Sequence, residues 1–471
     1  MPPRVSLTMI VKNEEANLPA CLDAVAGLFH EIIVVDTGST DRTKEAAARC
    51  GAKVFDFPWC DDFAAARNAG LDHATGNWIF WLDADDRIDG ENRRKLKALF
   101  AGLKAENVVY MMKCLSKESI GDDSVVAVDH ARLFRNYPEI RWQYRVHEQI
   151  VPSVRRLGGS ARSTDIFTCH TGYQDKASYR RKLDRNLRLL ELAIADHPKD
   201  PFILYQLGRT QLATGRATEA VQPLRRALDL AQPADFFVRQ LYGQLARGYC
   251  QLGRRAEALD VCRAARVNYN DYAELAFLEG QLLDAQGDLA GAEACFLRLL
   301  RPGARFVSDD LGLCGYKARQ NLAAIYYRQR RYAEAESQWR AVVADRPDFV
   351  PAWLSLANLW SAQNRLAEVE EAAKQLEGKA AGTAVAALLR ALACMFRRDF
   401  PAAKQILIEM IARDQRAFWP RALLGDLLLQ EGRDLAGAEQ ALREALSLNP
   451  DHLPTLRKLK SLLEQRGPGR K

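Results

Sequence analysis

Apolar residues fall into two different rhythms along the 471-residue chain, and the change comes near residue 175. Before it, short β-branched and apolar runs alternate with helical spacing. Val5 to Val11, Glu31 to Asp36 and Trp78 to Asp83 each read as a strand, since they are short, β-branched or apolar runs, and Ala52 to Asp56 reads as a further short strand. Between them, Leu18 to Phe29, Arg42 to Cys50 and Ala64 to Ala74 read as helices, the second capped by the turn Thr37-Gly38-Ser39-Thr40-Asp41, where Gly38 permits the tight bend. Asn107 to Lys113 and Val125 to Phe134 add two more strands. Strand and helix in alternation predict an α/β domain with a mainly parallel sheet.

From Ser178 onward the strand pattern stops and helical periodicity takes over. Aligning Ala220, Ala258, Ala292, Ala335, Val369, Ala403 and Ala438 gives steps of 38, 34, 43, 34, 34 and 35 residues. That is close to the roughly 34-residue period of the tetratricopeptide repeat, and predicts about seven helix pairs in an all-α solenoid. Gly215, Gly253, Gly287 and Gly432 fall in the turns within pairs, and Asn449-Pro450 ends a unit. The longer step is caused by Arg301 to Asp310, a loop by its Pro-Gly content. Leu453 to Gln465 reads as a capping helix and Gly467 to Lys471 as a frayed tail. Tyr205, Tyr242, Tyr249, Tyr326, Tyr327, Trp353 and Trp360 recur at helical spacing and read mostly as packing residues. The expected domains are therefore 1–175 α/β, 176–197 a connecting helix, and 198–471 the repeats with their cap.

Composition narrows the function classes. At 48% hydrophobic and 27% charged the chain is an ordinary globular one. A formal charge of +7 is too small for its length to point to nucleic acid, although a mildly basic face could meet phosphates or anionic headgroups. The first strand begins before any signal-length apolar region, and no run approaches a membrane span, so a cytoplasmic protein with at most peripheral membrane contact is expected. Ten cysteines without Cys-x-x-Cys pairs read as reduced, small hydrophobes.

The chemistry concentrates where Trp78-Ile79-Phe80-Trp81-Leu82 runs into Asp83-Ala84-Asp85-Asp86. Carboxylates at the carboxyl end of a buried strand lie at the edge where open α/β sheets bind ligands. Asp83 and Asp85, one residue apart on an extended chain, point the same way, and two converging oxygen donors suit Mg²⁺ or Mn²⁺ carrying a diphosphate. Asp86 and Asp89 read equally well as turn or cap residues. No glycine-rich loop follows the first strand, which disfavours a nucleotidyltransferase or a Gly-x-Gly-x-x-Gly dehydrogenase.

Four segments taken together, Ser6 to Glu15, Ile33 to Asp41, Ala66-Arg67-Asn68-Ala69-Gly70 and Trp81 to Asp86, resemble family 2 glycosyltransferases with the GT-A nucleotide-sugar fold. With the repeats behind it, the chain resembles bacterial transferase-repeat proteins such as the sublancin-type peptide S-glycosyltransferases. The resemblance implies an inverting, metal-assisted transfer from a nucleotide-sugar donor, a UDP-sugar foremost, to a peptide, protein or cell-envelope glycan acceptor. It implies Glu14 and Asp36 at the nucleoside, Arg67 beside the nucleotide, Asp85 on the metal, and Asp83 near both ribose and metal. Glu148 is the expected base, with His147 second and Asp129 third, in segments similar to those of the repeat-bearing members. His170 could complete the metal shell. The repeats would dock an acceptor, a partner protein or a second copy. The rival reading is a scaffold whose α/β domain only binds nucleotide.

Overall fold

The computed structural model describes residues 3–117, 125–171, 176–308, 310–378, 382–450 and 452–466. The tail expected at 467–471 lies outside them. The chain divides into two compact units, Met1–Leu275 with Val307–Leu311, and Ala276–Phe306 with Gly312–Lys471.

The first unit is built on an eight-stranded mixed sheet. In chain order its strands are β1 (Val5–Val11), β2 (Glu31–Asp36), β3 (Lys53–Asp56), β4 (Trp78–Trp81), β5 (Asp86–Arg87), β6 (Val108–Lys117), β7 (Val125–Arg135) and β8 (Ser160–His170). They lie in the order β3-β2-β1-β4-β7-β6-β8-β5. β1, β2, β3 and β4 pair in parallel, whereas β7 runs antiparallel to both β4 and β6. The chain leaves β1 toward β2 on one side and returns to pair β4 on the other, so a crevice opens at the carboxyl ends of β1 and β4. Leu7, Ile33, Val34, Ile79 and Phe80 are fully buried, as strands covered on both faces require.

Helices α1 (Leu18–Ala24), α2 (Thr43–Arg49), α3 (Phe63–His73), α4 (Gly90–Ala101) and α5 (Val151–Arg156) surround the sheet. α1 stops five residues short of the expected Phe29, and Gly27 follows it at φ 73°. α5, β5 and β8 are not expected from the sequence, and of α4 only its capping residue Asp89 is. β8 is a mostly exposed, polar strand, so apolar periodicity passes over it.

The helical part begins with α6 (Lys176–Asp196). Seven pairs follow: α7/α8 (Pro201–Ala213, Ala217–Leu230), α9/α10 (Val238–Gln251, Arg255–Arg266), α11/α12 (Ala273–Gln286, Leu289–Leu299), α13/α14 (Tyr316–Arg328, Tyr332–Asp345), α15/α16 (Val350–Ala362, Leu366–Leu376), α17/α18 (Thr383–Phe396, Phe400–Arg413) and α19/α20 (Phe418–Glu431, Leu435–Leu448). α21 (Leu453–Arg466) closes the series. The seven aligned positions from Ala220 to Ala438 all sit on the second helix of a pair and are 0% exposed, which explains why small residues recur there. Of the seven aromatics, Tyr205, Tyr249, Tyr326, Trp353 and Trp360 are buried.

The turn within each pair shows why only some carry glycine. Gly215, Gly253, Gly287 and Gly432 have positive φ, and Arg330, Asn364 and Arg398 hold the same left-handed conformation. In six pairs the next residue donates its N–H to the carbonyl five residues before it, as Arg216 does to Gln211 (2.8 Å) and Asp399 to Cys394 (2.9 Å), which is the Schellman closure. The seventh uses one bond, Gly432 N–H to Leu428 O (3.0 Å). Arginine in that conformation is strained, so Arg398→Gly is expected to stabilise the protein by about 0.5–1 kcal/mol, read as a rise in the urea midpoint.

Candidate active site

The loops after β1 and β2 are laced together. Asn13 N–H donates to Ser39 Oγ (2.9 Å), Thr40 N–H to Asn13 Oδ1 (2.8 Å), and Glu14 N–H to Thr43 Oγ1 (2.7 Å). Glu14 Oε2 accepts from Asn17 (2.9 Å), which holds its carboxylate at the rim. Asp36, at the end of β2, is 1% exposed. Its Oδ1 accepts from the N–H groups of Gly38 (3.0 Å) and Ser39 (2.8 Å), while Oδ2 is buried with no partner among the described residues. A buried carboxylate oxygen without a donor is a place for a ligand hydroxyl or N–H.

β4 ends at Trp81, earlier than the Trp78–Asp83 strand expected from the sequence. Asp83 to Asp86 instead forms a tight turn: Asp86 N–H donates to Asp83 O (3.1 Å) and Asp83 N–H to Asp86 Oδ2 (3.0 Å). The turn, rather than the pleat of a strand, makes the carboxylates converge. β5 then pairs Asp86 with His170 at the end of β8, and Asp85 O accepts from Thr171 N–H (3.0 Å) and Oγ1 (2.9 Å). One oxygen each from Asp83, Asp85 and Asp86 and a ring nitrogen of His170 lie within 4.8 Å of one another. His170 Nδ1 is 3.3 Å from Asp85 Oδ1 and 3.4 Å from Asp86 Oδ1.

Asp86 is not a helix cap; Asp89 has that role, accepting from Asn92 N–H (2.8 Å) ahead of α4. Asp86 is fully buried against the equally buried Arg132 of β7, with Nη1 to Oδ2 at 2.7 Å. The guanidinium also donates to Trp81 O (3.3 Å) and lies 4.0 Å from the Trp81 ring. Burial works against the charge on Asp86, but Arg132 and His170 outweigh it and hold the carboxyl below the usual range. Asp85 goes the other way. Burial pushes it up to about 6, opposed by His170 and reinforced by Asp83, Asp86 and Glu14. His170 is raised: burial opposes its charge, and Asp86 and Asp85 overcome it.

Arg67 of α3 joins the two sides of the crevice. It is 7% exposed, its Nη2 donates to Asp83 Oδ1 (3.0 Å) and its Nε to Glu148 Oε1 (2.7 Å), and its plane lies over Trp81 (4.2 Å) and Trp142 (5.2 Å). Asn68 fastens the segment that supplies Glu148, exchanging hydrogen bonds with the backbone of Trp142 (2.9 and 3.0 Å). Gln143 and Gln149 then pair reciprocally through their backbones (3.0 Å each), pinching off a loop in which Tyr144 and His147 take positive φ. His147 is held neutral, pushed down to about 3 by burial and then by Arg209, Lys182 and Arg185. Asp129 stands apart on β7, half-exposed, 3.4 Å from Lys113.

Burial, with the nearby Arg132, also pushes His130 down to about 3. Both imidazoles stay neutral in the folded chain through a range where the unfolded chain, near 6.5, takes up protons. The stability they contribute is complete above about pH 6.5 and is lost as pH falls toward 3. Denaturant titrations are expected to show a loss of about 2–4 kcal/mol between pH 7 and 5. His130→Phe, which keeps the stack on Trp81, is expected to flatten that slope.

Residues 6–186 match the family model described as Glycosyl transferase family 2, and residues 176–235 and 321–386 match Tetratricopeptide repeat. Residues 6–186 are a family 2 glycosyltransferase domain. A TPR repeat-containing protein of Synechococcus elongatus is 34% identical over 270 residues, 56% of this chain and 66% of that one. The SPbeta prophage-derived glycosyltransferase SunS of Bacillus subtilis is 28% identical over 236 residues, 48% of this chain and 54% of that one. The matches thus span two thirds or less of these relatives' own lengths. A solved tetratricopeptide repeat protein from Parabacteroides merdae covers 56% of this chain and 98% of its own at 16% identity and a TM-score of 0.41.

Within the family 2 domain the structure brings Asp83, Asp85, His170, Arg67 and Glu148 together, sets Asp36 and Glu14 on the neighbouring strand ends, and leaves Asp129 outside. Sequence reasoning gave Asp86 as a turn or cap residue without its ion pair, and gave no site role to Arg132, Trp81 or Trp142. One signal for Arg132 was available, since an arginine inside the apolar Ala131-Arg132-Leu133-Phe134 strand must find a buried carboxylate.

Proposed function

We propose that the protein is an inverting, metal-dependent glycosyltransferase that moves a sugar from a nucleotide-sugar donor, UDP-linked foremost, to a peptide, protein or cell-envelope glycan. The observation that carries this reading is the convergence of Asp83, Asp85, Asp86 and His170 at the carboxyl edge of the sheet on which Asp36 Oδ2 is buried with no partner among the described residues. The donor set is hard oxygen with one imidazole, which fits Mn²⁺ or Mg²⁺. Asp85, with Asp83 and His170, would hold the ion, and Asp86 is committed to Arg132 and the turn. When bound, such an ion neutralises charge on the leaving diphosphate.

The chain's own groups divide the remaining work. Asp36 Oδ2 accepts from the nucleoside and Glu14 stands at the rim beside it. Arg67 fixes the spacing between Asp83 on the donor side and Glu148 on the acceptor side. Glu148 takes the acceptor proton as the anomeric centre inverts, with the neutral His147 next to it as the second candidate. The helix pairs offer a surface for an extended acceptor, a partner protein or a second copy. Among the described residues no helix is long and apolar enough to cross a membrane. Ten cysteines scattered without Cys-x-x-Cys pairs support the reducing cytoplasm as the compartment.

Release of nucleoside diphosphate from a panel of nucleotide sugars, with Mn²⁺ or Mg²⁺ and with a chelator, tests the reading. One donor turned over only with metal is the expected result. No turnover and no metal-dependent nucleotide binding would favour the scaffold instead.

A further inference from the structure

The helices behind the family 2 domain reach into its site. The loop bearing His147 and Glu148 packs on α6 and α7, with Val146 clustered against Leu189, Leu190, Ala193 and Ile203. Tyr144 packs against Phe202, ring centroids 4.7 Å apart and planes tilted by 49°. Two further ties fix α6 there: Arg188 Nη1 donates to Asp61 (2.8 Å) and Arg145 to Asp196 (2.8 Å). Each helix therefore has a known face against the loop, and that face can be followed along the helix.

On α6, Arg185 lies four residues and Lys182 seven before Leu189, so all three share one face. On α7, Gln206 lies four residues and Arg209 seven after Phe202, and Arg209 Nη1 donates to Gln206 Oε1 (3.4 Å). The helices run antiparallel as a hairpin, so stepping backward on one and forward on the other leads in the same direction. Three cations therefore gather at the same end, past the loop. Arg185 is further placed by its position 4.9 Å from the Phe63 ring at the start of α3.

We propose that Lys182, Arg185 and Arg209 form a cationic wall facing the acidic turn, and that it binds the diphosphate of the donor and of the leaving nucleotide. The wall and the carboxylates act on one another. Burial and then Arg185 push the Lys182 ammonium down to about 8, against the pull of Asp83 and Asp85. Burial lowers Arg185 as well, and Glu148 pulls against it. A ligand that meets carboxylates on one side and three cations on the other must be a polyanion carrying a divalent cation, and a diphosphate has that chemistry. The consequence is that the first helices of the repeat region complete the site.

This inference rests on the glycosyl-transfer reading, and the test separates the two. Binding of inorganic pyrophosphate with Mn²⁺ is measured by calorimetry on the full chain, on Lys182→Met/Arg209→Gln, on Arg185→Gln and on Lys182→Arg, with donor turnover followed in parallel. The double variant is expected to bind about tenfold more weakly or worse, Arg185→Gln severalfold, and Lys182→Arg within about threefold, all with the circular-dichroism spectrum of the unaltered chain. Turnover by the unaltered chain with equal pyrophosphate affinity in the variants overturns the wall and leaves the transfer reading standing. Weakened affinity in the variants with no donor turned over keeps the wall and removes the transfer reading. No binding by the unaltered chain removes the wall whatever the turnover.

Discussion

Asp85→Asn is expected to raise the stability of the metal-free protein and to end donor turnover. The Asp85 side chain is only 21% exposed, and burial with three neighbouring carboxylates lifts its carboxyl to about 6. A carboxyl raised from its ordinary value near 3.9 favours the fold only while protonated, and that contribution is lost as pH rises from about 4 to 6. At pH 7 the charge therefore opposes folding, and removing it is expected to gain about 1–3 kcal/mol. Turnover is expected to fall by a factor on the order of 10³, the scale of deleting one preorganised electrostatic contact at a reacting centre. Urea unfolding at pH 7 and nucleoside diphosphate release, measured on the same preparation, check both halves. A variant that is less stable and still active would make Asp85 a structural acid.

The second large effect concerns Arg132. Its guanidinium and the Asp86 carboxylate are both 0% exposed, and neither can be solvated if the other is removed. Arg132→Met is expected to cost about 3–5 kcal/mol, because it leaves Asp86 charged and buried. Arg132→Met/Asp86→Leu is expected to recover most of that loss, since a well-packed apolar pair replaces an ion pair at little cost. Activity is not expected to return. Asp86 Oδ2 also accepts from Asp83 N–H, and without it the turn that aims Asp83 and Asp85 has lost one of its two closing bonds. Denaturation midpoints with turnover for both variants separate the two roles. Turnover restored along with stability would show that the pair only fills space.

Arg67 illustrates how far the chain could be read before folding. Its place in Ala66-Arg67-Asn68-Ala69-Gly70 marks it as a nucleotide-side residue by resemblance, and a helix is predictable around it. That it bridges Asp83 and Glu148 was not legible, because the three residues are 16 and 81 positions apart and only the packing of α3 under the Gln143–Gln149 loop joins them. The same holds for His170. It reaches the acidic turn through the pairing of β8 with a two-residue strand, and both elements lack an apolar pattern.

By itself the sequence determined whatever local periodicity and composition control. Three buried strands and the α/β class follow from apolar runs of strand length, and seven helix pairs follow from small residues that recur because each is 0% exposed between helices. The carboxylates after β4 and the glycines of four repeat turns were equally visible. Tertiary structure alone decided which charges meet. It buried Asp86 with Arg132, left Asp36 Oδ2 without a donor among the described residues, and turned the faces of α6 and α7 that carry Lys182, Arg185 and Arg209 toward a loop some 35–60 residues away in sequence. The physical reason is range. Periodicity reports how a segment meets water, whereas the energy of a charge depends on which distant partners remain within a few ångströms once water is excluded.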